Sequence, residues 1–398
     1  MTRLACGLLL LCLGPVALAE PGKLLIVGGA LASNNAEIHK AFIQAAPAEG
    51  SIFVIPLASG YPAGSAANIM QLMVNYGADA QRIQLMPLAV MDDPDTADVD
   101  EANWADNLDN PRVIRALENA AGVWFAGGDQ ARITALLRPD GTDTDTLRAI
   151  RRAFDNGAVI GGTSAGAAIM SDPMILFGDT LPSLFGAEAG EEAVTLGPGL
   201  GFFDYGITDQ HFDARARLGR LVVALSMLPE QSQRIGFGVD ENTGMLVHSD
   251  GRFEVLGEAA VTILDGRSAS FGSTPDKAAA SHMLLHMLTR GDSYNLLTGE
   301  FSIASYKDPT VGNEYNSRVL PGGGGIALPP ASTIDTLGEA LLDNSATSQI
   351  ERLSFNDRGN LALYRFEQTG NSRGYWGRDD TNQARYSITG VIYSVETN

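Results

Sequence analysis

An α/β fold built on a mostly parallel sheet is what this 398-residue sequence predicts, and three observations predict it. Short apolar runs alternate with segments of helical apolar period, the pattern of strands joined by crossover helices. Several runs end in small-residue turns, at Gly28-Gly29, at Gly127-Gly128 and around Ser164, as strands do at the edge where such sheets place their ligand crevice. The chain is also long enough, with 45% hydrophobic residues, to bury a large core.

The elements follow in order. "MTRLACGLLLLCLGPVALAE" carries one positive residue, Arg3, an apolar run and Ala-Leu-Ala before Glu20. It reads as a signal peptide, residues 1–19, cleaved near Ala19, so a secreted or periplasmic protein is expected. Both cysteines, Cys6 and Cys12, fall inside it, which leaves the mature part without disulfides or thiolate metal ligands. "KLLIVGGA" is the first strand and "IFVIPLA" (52–58) the second; "AANIMQLMVNYGA" is a helix with Ile69, Leu72, Met73 and Tyr76 on one face. "RIQLMPL" and "GVWFAGG" are further strands. "TDTLRAIRRAFDNG" has a capping residue at its start and Gly157 at its end, as a helix should. Residues 158–163 suit a buried strand and 165–170 a helix. From Ile235 short strands and tight turns take over, until "DKAAASHMLLHMLTRG" reads as a last amphipathic helix. These elements make one α/β domain, residues 20–298; residues 299–333, with "LPGGGGIALPPAS", form a linker or long loop, and 334–398 a small β-rich C-terminal extension.

Between strand and helix stands Ser164. Gly162-Thr163-Ser164-Ala165-Gly166 fits G-x-S-x-G, a nucleophile exposed on a tight turn, although a plain packing turn has the same composition. A serine nucleophile needs a base, an orienting acid and donors for an oxyanion. Of the five histidines, His39 lies in a polar helix, His248 at an exposed turn, and His282 and His286 on the apolar helix, where they pack. His211 sits in "GITDQHFDARARLGRL", with Asp209 and Gln210 before it and Arg215, Arg217 and Arg220 after it. Three arginines there suit a patch for carboxylates, or else a solvated helix face paired with acids. Asp240-Glu241 offers the acid, and the backbone amides of Gly128 and Ala165 could hold an oxyanion.

The formal charge of −20 argues against nucleic acid or an anionic membrane as partner. No metal is expected: His282 and His286 lack an acidic third ligand, and "DGTDTD" (140–145) lacks the last glutamate of a calcium loop. No cofactor is expected either, since "VGGALASNN" lacks G-x-G-x-x-G.

"FAGGDQ" (125–130), "GGTSAGAAIM", "TDQHFDARARLGRL" and "GFGVDENTG" occur in the order and spacing of the cyanophycinase family, serine peptidases related to aspartyl dipeptidase. The sequence resembles that family over roughly residues 22–297 and, with its signal peptide, resembles the extracellular members. The resemblance implies a three-layer, doubly wound sheet of the class I glutamine-amidotransferase-like (flavodoxin-like) type. It implies Ser164 as nucleophile, His211 as general base and Glu241 as acid, with Asp240 the second choice. Gln130, Asp209, Gln210, Arg215, Arg217 and Arg220 would line the substrate pocket, and a homodimer is expected from the family alone. The implied substrate is cyanophycin, a poly-aspartate whose side chains carry arginine through isopeptide bonds, released as β-Asp-Arg dipeptides. One departure stands out: a basic residue is expected one turn beyond Gln130, and this chain has Thr134, with Arg132 or Arg138 as substitutes.

Three rival readings share some of these residues. A peptidase of the same family could act on aspartyl dipeptides or other acidic peptides. An α/β-hydrolase esterase would need the order Ser, acid, His, met only by Asp265 with His282 or His286, and no H-G-G-G precedes the serine. A binding protein could retain the fold without catalysis.

Overall fold

The computed structural model describes residues 21–186, 192–272, 279–319, 325–329 and 331–398. The expected signal peptide, and the start of the segment read as the last helix, lie outside them.

A nine-stranded sheet runs in the order Ile83–Leu85, Ser51–Ile55, Ala120–Phe125, Val159–Thr163, Leu24–Val27, Thr243–Val247, Arg252–Gly257, Ser293–Asn295, Phe301–Ser302. The first five pair in parallel and the last four antiparallel. Alternate side chains of a strand point to opposite faces, and both faces here are buried. Leu24, Ile26, Phe53, Ile55, Val123 and Phe125 share one core with Leu117, Leu137 and Ile150 from the helices Pro111–Glu118, Gln130–Leu137 and Asp145–Asp155. Leu25, Val27, Ile52, Val54 and Trp124 share another with Ile38 and Phe42 of the helix Ala36–Ala45 and Met73 of Pro62–Asn75. The fold is α/β, and its main sheet is mixed rather than mostly parallel.

A second sheet of ten strands contains Lys307–Pro309, Arg373–Arg378, Ala384–Thr397, Ala280–Thr289, Ala260–Asp265, Ile235–Val239 and Ile207–Asp209 in that order. Its last pair, Ile207–Asp209 with Ile235–Val239, is parallel.

One expectation is corrected here. The segment read as a final helix is the strand Ala280–Thr289. Met and Leu favour helix, but Met283, Leu285 and Met287 are buried together on one face at the strand's period of two. Partners at both edges, Ala260–Asp265 and Ala384–Thr397, take up its backbone groups, and such context overrides propensity. In the C-terminal segment, Ala384–Thr397 pairs directly with Ala280–Thr289. Lys307 and Asp292, both with fully buried side chains, pair at 2.8 Å, and Ser387 of the last strand hydrogen-bonds to both.

The two sheets meet where the chemistry-bearing residues emerge. The neighbouring parallel strands Ile207–Asp209 and Ile235–Val239 deliver Gln210-His211 and Asp240-Glu241 side by side at their carboxyl ends. Val159–Thr163 delivers Ser164 at the carboxyl edge of the other sheet.

Candidate active site

Ser164 has φ 56° and ψ −110°, a conformation costly for a residue with a side chain, which lifts its hydroxyl off the end of the strand. Its N–H donates to Val27 O at 3.0 Å, and its carbonyl accepts from Ala167 and Ala168, so strand, turn and helix are locked together. The surrounding small residues are a steric requirement. A Cβ on Gly162 would lie 2.6 Å from Gly166 O, and one on Gly166 2.5 Å from Phe125 O.

His211 also has positive φ, 47°, and its N–H donates to Gly28 O at 2.6 Å. The imidazole lies over Gly29, where a Cβ would come within 2.3 Å of the ring. Nε2 is 2.9 Å from Ser164 Oγ and Nδ1 is 2.5 Å from Glu241 Oε1. Burial depresses the pKa of His211; the Glu241 hydrogen bond raises it, the Arg215 charge lowers it further, and the outcome is below the ordinary histidine value.

Glu241 and Asp240, adjacent in sequence, have different partners. Both Asp240 oxygens accept backbone N–H groups, from Asp213 at 2.9 Å and Ala260 at 3.0 Å. Burial first, then the Asp213 charge, push its carboxyl up to about 7. Asp240 therefore holds the loops on either side, while Glu241 faces the imidazole.

The N–H groups of Gly128 and Ala165 have no protein acceptor among the described residues, which leaves both free to hold an oxyanion. Gly127 lies against Ser164, since a Cβ there would sit 3.3 Å from the serine Cβ.

The expected substrate-pocket residues divide. Asp209, Arg217 and Arg220 are 1%, 6% and 3% exposed, and they bind one another. Arg220 holds Asp209 through Nε at 2.9 Å and Nη2 at 2.5 Å, and Arg217 approaches it at 3.6 Å. Burial alone would raise the Asp209 pKa, but the two guanidinium charges outweigh it and hold the carboxyl below its ordinary value. Burial also lowers Arg217 to about 10, and its Nη1 donates to Gln210 O at 2.5 Å. Asp209, Arg217 and Arg220, expected at the substrate pocket, thus answer one another's charge: desolvating two guanidinium groups requires an internal partner, and Asp209 supplies it. Gln210 is buried with its side-chain oxygen unpartnered among the described residues. Gln130 is half-buried and donates to the carbonyls of Ile175 and Leu176. Arg215 is exposed and makes no ion pair among the described residues.

Thr134, in place of the expected base, is buried. Arg138 is held by Asp143 and Asp172, whereas Arg132 donates to Ala58 O, the carbonyl that Asp129 N–H, next to Gly128, also uses.

A pocket of about 290 Å³ opens beside Ser164 and His211, with Phe42, Leu72, Met73 and Trp124 in its wall. Trp124 Nε1 and Thr163 Oγ1, both at its lining, are buried and unpartnered among the described residues. Sequence reading missed this pocket. The alternation of "GVWF" places Trp124 opposite Val123 and Phe125, but its neighbour Phe42 comes from the helix Ala36–Ala45, far away in sequence.

The residues of the esterase reading lie elsewhere. Asp265 pairs with Arg267 at 2.7 Å, His282 is exposed, and His286 Nδ1 accepts from Gly390 N–H. Among the described residues no group of three or more His, Cys, Asp or Glu is arranged to hold a metal, and no helix is long and apolar enough to cross a membrane.

The profile of peptidase family S51 matches residues 24–255, over half the chain and all of the residues around Ser164, His211 and Glu241. The chain belongs to peptidase family S51. It is therefore a peptidase of the cyanophycinase family of serine peptidases. A cyanophycinase of Trichormus variabilis is 31% identical over 286 residues, which span 70% of this chain and 87% of that protein. One of Geminocystis herdmanii is 32% identical over 284 residues, 69% of this chain and 94% of its own length. A solved peptidase from an acI-B1 Actinobacterium aligns over 69% of this chain and 97% of its own at TM-score 0.49 and 22% identity. Within this S51 chain, residues 256–398 lie beyond the matched profile.

Proposed function

We propose that this S51 peptidase is an exported cyanophycinase that cleaves the poly-aspartate backbone through an acyl-enzyme on Ser164 and releases β-Asp-Arg dipeptides. The observation that carries the mechanism is the unbroken hydrogen-bonded series Ser164 Oγ, His211 Nε2, His211 Nδ1, Glu241 Oε1 on a strained strand-to-helix turn. His211 takes the hydroxyl proton as Ser164 Oγ attacks the scissile carbonyl carbon. The amides of Gly128 and Ala165 hold the resulting oxyanion. The carbon–nitrogen bond then breaks, and the imidazolium returns its proton to the departing amine. Water repeats the sequence on the acyl-enzyme and frees Ser164. Glu241 keeps the proton of the neutral imidazole on Nδ1, so that Nε2 faces the serine, and it stabilises the cation formed in each half-reaction. The depressed pKa of His211 suits a base that must be unprotonated at neutral pH.

The substrate follows from the relatives, which carry the name cyanophycinase and align over most of their length. A fold of the glutamine-amidotransferase-like type, export of the mature chain and a homodimer complete the reading. Clearing of cyanophycin granules by the intact protein, with β-Asp-Arg identified by mass spectrometry, tests it. The Ser164→Ala form should leave the granules intact. Release of free aspartate from α-aspartyl dipeptides, with granules untouched, would favour the dipeptidase reading instead.

A further inference from the structure

A cavity of about 610 Å³ lies outside the Ser164 pocket, and two kinds of chain form it. One wall, with Asp179, Phe185 and Arg215, comes from the region matched by the S51 profile. The other, with Leu328, Phe355 and Asp357, comes from the C-terminal segment beyond it.

The C-terminal wall is fixed to the residues that follow His211. Ala331 N–H donates to Asp213 O at 3.3 Å and Thr333 N–H to Asp213 Oδ1 at 3.0 Å. Ala327 N–H donates to Ser354 Oγ at 3.3 Å, which ties the same loop to the hairpin whose turn carries Phe355 and Asp357. Arg215 N–H donates to His211 O at 3.0 Å, so the cavity begins one turn from the imidazole, and the guanidinium is close enough to lower its pKa.

The lining has a definite chemistry. Arg215, exposed and without an ion pair among the described residues, offers one bidentate site for a carboxylate. Asp179 and Asp357, both exposed, offer carboxylates to a guanidinium. Phe355 and Leu328, 55% and 53% exposed, offer an apolar surface for a methylene stem. Two guanidinium groups, Arg215 and Arg358, with carboxylates and an apolar face in a single concave site, match a ligand that carries a carboxylate, a guanidinium and an aliphatic chain together. The volume is that of a small-molecule site.

We infer that the C-terminal segment builds an outer subsite for one arginyl-aspartate repeat of a polymeric substrate, separate from the pocket beside Ser164. This rests on the functional reading above. It makes the segment a specificity element, which lets the enzyme prefer long chains over short ones.

The test compares defined fragments of two and six β-Asp-Arg repeats. The six-repeat to two-repeat ratio of kcat/KM is measured for the parent protein, Phe355→Ala, Asp357→Asn and, as a control far along the other sheet, Leu297→Ser. The ratio should fall about ten-fold in Asp357→Asn, the loss of one charge-assisted contact, and about ten-fold in Phe355→Ala, the loss of an apolar contact with the methylene stem, and stay at the parental value in the control. In a Ser164→Ala background the same two substitutions should weaken binding of the six-repeat fragment by a similar factor. Cleavage of both fragments with ratios within two-fold of parent, or equal loss on both, overturns the subsite alone. If the parent protein cleaves neither fragment, the functional reading fails and the subsite with it.

Discussion

Within one stretch of sequence, Asp209 to Arg220, two polar regions have opposite fates. Asp209, Arg217 and Arg220 turn inward, where each charge is answered by another. His211 and Arg215 each line a cavity: His211, itself buried, lies between Ser164 and Glu241 at the pocket beside the serine, and Arg215 lines the other. The inward group holds the turn in place; the cavity-lining group keeps bonding capacity that a substrate can use. Residue type does not separate them, since both contain arginine. What separates them is whether a cavity opens beside the side chain.

The comparison breaks most sharply if the cavity-lining group proves dispensable. Ser164→Ala should reduce kcat about 10³-fold or more, and Glu241→Gln about 10²- to 10⁴-fold, with the melting temperature little changed in either. Steady-state kinetics beside calorimetry check both, and near-parental turnover in Ser164→Ala would remove the nucleophile.

The inward group should show the converse. Asp209→Ala leaves two buried guanidinium groups uncompensated and should cost about 3–5 kcal/mol of stability. Denaturant unfolding measures it, and a loss under about 1 kcal/mol would mean that the cluster is not the anchor described here.

A smaller effect sharpens the boundary between the groups. Because His211 is held below the ordinary value of 6.5, the acid limb of kcat/KM should lie below pH 6.5. Arg215 disfavours the imidazolium, so Arg215→Gln should move that limb to higher pH; Glu241 favours it, so Glu241→Gln should move the residual limb lower. Limbs that stay in place in both variants would show that His211 does not set the profile.

The smallest effect concerns His286, which burial pushes down to about 4. The unfolded chain takes up this proton near 6.5 and the folded one only near 4. The stability from its neutral form is therefore complete above pH 6.5 and lost as pH falls towards 4. His286→Gln should flatten the melting temperature over that window.

How much was legible beforehand depends on the range of the interaction involved. The strand-turn-helix at Ser164 follows from local chemistry, because only small residues permit Gly162 and Gly166 to approach so closely. Ala280–Thr289 was misread since its Leu and Met residues carry a helical preference, and the two strands that overrule it come from distant sequence. The division within the arginine triplet was not legible for the same reason: burial of Arg217 and Arg220 depends on how the chain packs, which composition does not state.

The sequence by itself determined the α/β class, the serine on its turn, the histidine and the pair of acids, since each depends on local backbone preference or on residue chemistry. Only the tertiary structure decided that Glu241 and not Asp240 meets His211, and that the last strands complete a shared sheet. Adjacent carboxylates on one strand end point in different directions. Which one reaches the imidazole is settled by the register of two parallel strands and by the backbone amides that claim the other.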